Sequence, residues 1–153
     1  LDPELMPTVA QLGVPFVLMH MQGTPQTMQE NPTYTDAVAE VIRFLADRAA
    51  HARSLGIADI MVDPGFGFGK KLEHNMALMR HLDQLQVLGL PVLVGVSRKS
   101  IFRHLLGISP DQSLNATTVM HTLALERGAR ILRTHDVRAA SEAIRIVGYP
   151  ENR

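Results

Sequence analysis

Pro91-Val92-Leu93-Val94-Gly95-Val96, followed at once by Ser97-Arg98-Lys99-Ser100, is the stretch on which the fold turns. No polar residue interrupts the apolar run. A strand with one face in water alternates apolar and polar side chains. An unbroken run instead reads as a strand buried on both faces, as in a parallel sheet. The switch to hydroxyl and charged side chains marks its end. Three more runs share the pattern, at 15–19, 59–62 and 130–132. They end in His20, in Asp63-Pro64-Gly65 and in Arg133-Thr134-His135-Asp136.

Helical periodicity follows each run. Val38, Val41, Ile42, Leu45, Ala49 and Ala52 recur at helical spacing and stop at Gly56. Glycine ends helices because it adopts positive φ cheaply. Leu78, Met79, Leu82 and Leu85 form a second stripe that ends near Gly89. A short helix at 101–106 ends at Gly107, and a longer one at 115–127 ends at Gly128. Val137, Ala140, Ile144 and Val147 make a last helix, with Asp136 placed to cap its N-terminus.

Four parallel strands, each followed by helix, build either an open doubly wound sheet or a (β/α) barrel. The polar residues gather where strands end, the face that carries the active site in barrels. A full barrel takes about 250 residues, and this chain has 153. The α/β class expected is therefore the C-terminal half of a (β/α)8 TIM-type barrel. No linker, low-complexity segment or close repeat interrupts it. The start, Leu1-Asp2-Pro3-Glu4, has neither an initiating Met nor the basic and apolar regions of a signal peptide. That leads to the expectation that the numbered chain begins inside a longer protein.

Composition narrows the function. Fifteen basic side chains balance fifteen acidic ones, so no basic face for nucleic acid is indicated. No apolar run approaches the roughly 20 residues of a membrane span. There is no cysteine, hence no disulfide framework and no thiolate chemistry, which fits a cytoplasmic location. No His/Asp/Glu set has spacing that demands zinc, and no P-loop or nucleophile elbow occurs.

The segments Asp63-Pro64-Gly65-Phe66-Gly67-Phe68-Gly69-Lys70 and Ser97-Arg98-Lys99-Ser100 come with Leu18-Met19-His20-Met21-Gln22-Gly23-Thr24-Pro25 before them and Arg133-Thr134-His135-Asp136 after. In this order, at strand ends, they closely resemble the dihydropteroate synthase family from about Phe16 to Val147. The residues have their own reading beside that name. A half-buried carboxylate such as Asp63 is costly without partners and can accept two hydrogen bonds from a flat heterocycle, although Asp before Pro-Gly also caps turns. Arg133 and His135, two apart on a strand, point the same way. With the start of a helix they make a diphosphate site, and His135 alone would read as a structural histidine.

The resemblance implies the rest. Asp63 and Lys99 would hold a pterin ring, with Met19, Gly95 and Arg133 around it, although Met19 also reads as core filling. Phe68, Ser100 and Lys99 would place 4-aminobenzoate, and Arg133 and His135 would hold the diphosphate. Phe66 reads as packing. Lys70 and Lys71 read as facing solvent, His20 as orienting its loop, and the histidines at 51, 74, 81, 104 and 121 as surface or packing residues.

The implied enzyme joins 6-hydroxymethyl-7,8-dihydropterin diphosphate to 4-aminobenzoate and releases 7,8-dihydropteroate and diphosphate, a step of folate biosynthesis blocked by sulfonamides. Lys99, Arg133 and His135 would be its catalytic residues. Mg2+ is implied as cofactor, with its asparagine ligand upstream of this chain. A homodimer is implied for the full-length form, and residues 1–153 would be one partial domain holding strands five to eight. The fragment alone is expected to be inactive and, with two strand edges and an apolar layer uncovered, to self-associate. A pterin- or folate-binding methyltransferase would not need the Ser-Arg-Lys-Ser or Arg-x-His-Asp segments. A non-catalytic pterin-binding remnant stays open because of the absent half. An open-sheet nucleotide binder lacks its glycine fingerprint.

Overall fold

A computed structural model describes residues 2–148, so the extreme ends of the expected 1–153 domain lie outside the described residues. The elements run α1 (Leu5–Leu12), β1 (Phe16–Met19), α2 (Ala37–Ser54), β2 (Ile60–Asp63) and α3 (Leu72–Arg80). A 3-10 turn (Leu82–Leu88), β3 (Val92–Val94), α4 (Ser100–Leu106), a second 3-10 turn (Pro110–Gln112), α5 (Leu114–Glu126), β4 (Ala129–Leu132) and α6 (Val137–Val147) follow. The strands form one sheet in the order β1-β2-β3-β4, every pair parallel. Chain order and sheet order coincide, which is the arrangement of strands along the arc of a barrel.

Alternation along the strands separates two faces. Leu18, Ile60, Val62, Val92 and Val94 are buried and join Val41, Leu45, Leu78, Leu82, Leu85 and Phe102 in the core between sheet and helices. The opposite face carries Val17, Met61, Leu93 and Ile131; Val17 is level with Met61, and Leu93 with Ile131. Val17 is 38% exposed there.

Several expectations change in detail. Helix α1 was not foreseen, since it precedes the first strand. The stripe through Leu78 and Leu85 is two pieces, an α-helix and a 3-10 turn that meet at His81, and both bury their leucines. Strand β3 is shorter than 91–96, so Gly95 and Val96 continue past the ladder. Strand β4 ends at Leu132, so Arg133 and His135 lie just beyond it. Asp136 sits at the N-cap of α6 but makes no side-chain cap bond. Its carboxylate is taken instead by Arg98, at 2.8 and 3.2 Å from the guanidinium. Asp36, by contrast, caps α2 by accepting from the Val38 and Ala39 amides, both at 3.0 Å.

Candidate functional site

Parallel pairing puts all four strand exits at one end of the sheet. Met19 is level with Asp63, and the next amide, that of His20, donates to the Asp63 carbonyl at 3.0 Å. The Arg133 amide donates to the Val94 carbonyl at 2.9 Å. Asp63, Gly95 and Arg133 thus follow one another across β2, β3 and β4. Arg133 lies over Gly95 so closely that a methyl group at that position would stand 2.5 Å from the guanidinium. The missing side chain is what makes room for the arginine.

Asp63 is 4% exposed. One carboxylate oxygen accepts from the Gly65 amide at 2.7 Å. Burial raises its pKa above the usual carboxylate value; the Gly65 hydrogen bond and then the nearby charges of Arg133, Lys99 and Lys70 oppose that rise. Lys99 stands with its ammonium 3.8 Å from the centroid of the Phe68 ring, a cation–π contact. Burial, and the like charge of Arg133, lower the Lys99 pKa. Asp63, Lys99 and Arg133 therefore sense one another electrostatically, and the sequence-derived group comes together at one end of the sheet.

Residues 97–99 carry three separate tasks. The Ser97 hydroxyl is 3.0 Å from His135 Nδ1 and accepts from the His135 amide at 3.1 Å. Arg98 holds Asp136. Lys99 reaches Phe68. Arg98 adopts φ of 55°, a left-handed conformation that costs a non-glycine residue energy, and its ion pair with Asp136 holds it there. Ser100 opens α4 and lines a cleft of about 380 Å3 with Gln29, Gly67, Lys71 and His104. Met19, with Phe16, Leu18 and Phe44, lines another of about 200 Å3 beside α1. Phe66 is 1% exposed and belongs to the core, as expected.

Lys70 corrects the sequence reading. Its side chain does not face solvent: it is buried, with the ammonium 3.0 Å from the Gly65 and Phe68 carbonyls and 2.9 Å from His20 Nδ1. Burial pulls its pKa down to about 7, with the charge of Asp63 opposing and that of Lys99 assisting. His20 is buried too, and desolvation and then the neighbouring Lys70 charge lower it to about 4, which keeps the ring neutral. Lys71 is exposed, as expected.

The side chains that hold the loop between β2 and α3 escaped the sequence reading. Asn75 accepts from the Gly67 amide at 2.8 Å, Gln29 donates to the Gly67 carbonyl at 2.8 Å, and the Tyr34 hydroxyl donates to the Gly69 carbonyl at 2.6 Å. Burial pushes the Tyr34 hydroxyl up to about 12, so it stays a donor. The glycine-rich segment itself was the one available signal, since so many bare amides and carbonyls need partners. Among the described residues, no group of three or more His, Asp or Glu side chains could hold a metal ion. No helix among them is long and apolar enough to cross a membrane.

Comparison with known proteins gives concordant matches. The family described as "Pterin binding enzyme" matches residues 1–135. The dihydropteroate synthase of Escherichia coli (strain K12) is 43% identical over 148 residues, covering 95% of this chain and 52% of that protein. Among solved structures, the Yersinia pestis dihydropteroate synthase with a sulfonamide drug superposes with a TM-score of 0.93 at 41% identity, over 96% of this chain and 54% of that one. The dihydropteroate synthase of Thermus thermophilus in complex with 4-aminobenzoate gives 0.91 at 45% identity, over 96% and 61%. The same protein has also been solved in complex with 6HMPPP. The chain spans about half the length of the curated relatives it matches. The structural relatives are TIM barrels, and four parallel strands with their helices correspond to half of one.

Proposed function

Because the chain belongs to the pterin binding enzyme family, we propose that it is the C-terminal half of a dihydropteroate synthase, carrying strands five to eight of the barrel and one wall of the active site. The observation that carries this reading is the convergence of Asp63, Lys99 and Arg133 at adjacent strand exits. An acid and two cations on one surface suit a pterin ring whose leaving group is a diphosphate.

In this reading the Asp63 carboxylate accepts from the pterin N–H groups while Lys99 donates to a ring acceptor. Met19 lies level with Asp63 at the neighbouring strand exit, and Arg133, seated over Gly95, offers its guanidinium plane to the pterin ring. Phe68 and Ser100 place the aminobenzoate ring and carboxylate. The pterin CH2–O bond breaks, the electron pair leaves with the diphosphate, and the aminobenzoate nitrogen bonds the carbon and loses a proton. Arg133 and His135 receive the charge that develops on the departing oxygen. Ser97 fixes the ring of His135. No covalent intermediate with the protein is needed.

The resemblance also implies Mg2+. The described residues supply no ligand set for it, and no step is assigned to the ion. A homodimer and a cytoplasmic location belong to the same reading. The test is calorimetric titration of the natural full-length chain with the pterin diphosphate and with 4-aminobenzoate, followed by assay of dihydropteroate. Binding of both and formation of product is expected. Binding of a folate alone would favour a methyltransferase and overturn the reading.

A further inference from the structure

Lys70 is a buried cation that the proposed reaction does not use. Its three N–H donors meet three close acceptors, the Gly65 carbonyl, the Phe68 carbonyl and His20 Nδ1, while the His20 carbonyl stands farther off at 3.5 Å. Two belong to the loop after β2, and the third follows β1. The loop is pressed against that neighbouring segment. A side chain at Gly65 would run into the His20 carbonyl, and one at Gly69 into the Gln22 backbone. Packing alone does not fix the Phe68 end. The Phe68 amide donates to the Gly65 carbonyl at 3.1 Å, and the same carbonyl takes the ammonium. The Phe68 carbonyl has its hydrogen bond from Lys70.

We propose that Lys70 is a positioning residue: docked on Gly65, Phe68 and His20, it holds the loop in the form that puts the Phe68 ring against the Lys99 ammonium. In the role assigned to Phe68 above, the amine-bearing ring is then placed by a lysine that never touches it. This consequence for the substrate rests on the proposed function, whereas the hold on the loop does not. Burial lowers the Lys70 pKa to about 7, and the charge of Asp63 opposes that fall.

The test uses the natural full-length chain and two variants. Lys70→Met keeps the stem and removes all three donors, and Lys70→Gln, read in the same way, serves should the first not fold. The first arm needs no ligand. Amide hydrogen exchange at residues 65–69 is expected to accelerate at least about tenfold while α2 and α5 keep their protection. The second arm is steady-state kinetics. KM for 4-aminobenzoate is expected to rise about tenfold, with kcat within about threefold, because a ring shifted by a fraction of an ångström loses its placement first. Unchanged loop exchange overturns the inference whatever the substrates do. A loosened loop with unchanged KM and kcat overturns the positioning role. If the parent chain binds neither substrate, the proposed function fails, and the exchange arm still decides whether Lys70 holds the loop.

Discussion

Asp63 sits where burial and charge pull in opposite directions. Its folded pKa is raised, so the charged form costs stability above the ordinary carboxylate range, and that cost is relieved as pH falls. Asp63→Asn keeps an acceptor for the Gly65 amide and discards the charge. The expected outcome is a melting temperature at neutral pH that does not fall, together with pterin affinity weakened roughly a hundredfold, read by calorimetry. His20 gives the opposite slope. Its folded pKa is lowered from 6.5 to about 4, so the unfolded chain binds the proton first, and stability is lost as pH falls from 6.5 to 4. The shift corresponds to about 3 kcal/mol. His20→Asn, which preserves an acceptor for Lys70, should flatten chemical-denaturation stability over that window by about this amount relative to the parent. The identities of both residues were legible in the sequence. The burial of Lys70 was not, because a lysine after a glycine-rich turn points wherever the turn's φ angles send it.

Elements were legible where periodicity is strong and elusive where ends are decided by partners. Strands β1 to β4 and helices α2, α5 and α6 fall within a residue or two of their sequence positions, because unbroken apolar runs and helical stripes have few other uses. Asp36 and Asp136 show the limit. Both are aspartates at the N-cap of a helix, yet only the Asp36 side chain caps. Asp136 is within reach of an arginine from another loop, a fact local sequence does not contain. Asp36→Ala should therefore cost about 1 kcal/mol of stability in denaturant titrations, the usual value of a cap. Asp136→Ala should leave the helicity of α6 intact by circular dichroism and instead release the Arg98 turn, visible as faster amide exchange at 97–99.

At the scale of the molecule, the core lies on one side of the sheet only. Helices cover Leu18, Val62 and Val94, while Val17, Met61, Leu93 and Ile131 share the other face, and β1 and β4 each leave one edge unpaired within the described sheet. Edges and apolar faces of this kind recruit partners. Residues 1–153 alone should therefore elute from size exclusion with light scattering as oligomers or aggregates, and a stable monomer would contradict this. They should also lack turnover, since the proposed reaction has only one wall of its site here. That the strands read as a half-barrel from sequence reflects their apolar runs, although in this structure β1 and β4 are buried on one face only. Helix α1 went unread because nothing before it marks a strand for it to follow.

Gly95 contributes vacancy where its neighbours contribute atoms. Every amino-acid replacement of a glycine adds a side chain, and even the smallest one there must push the Arg133 guanidinium aside. The position has no near-neutral missense neighbours through which a lineage could drift. In a mutational scan it should behave as a null-prone site, because any side chain at residue 95 displaces Arg133.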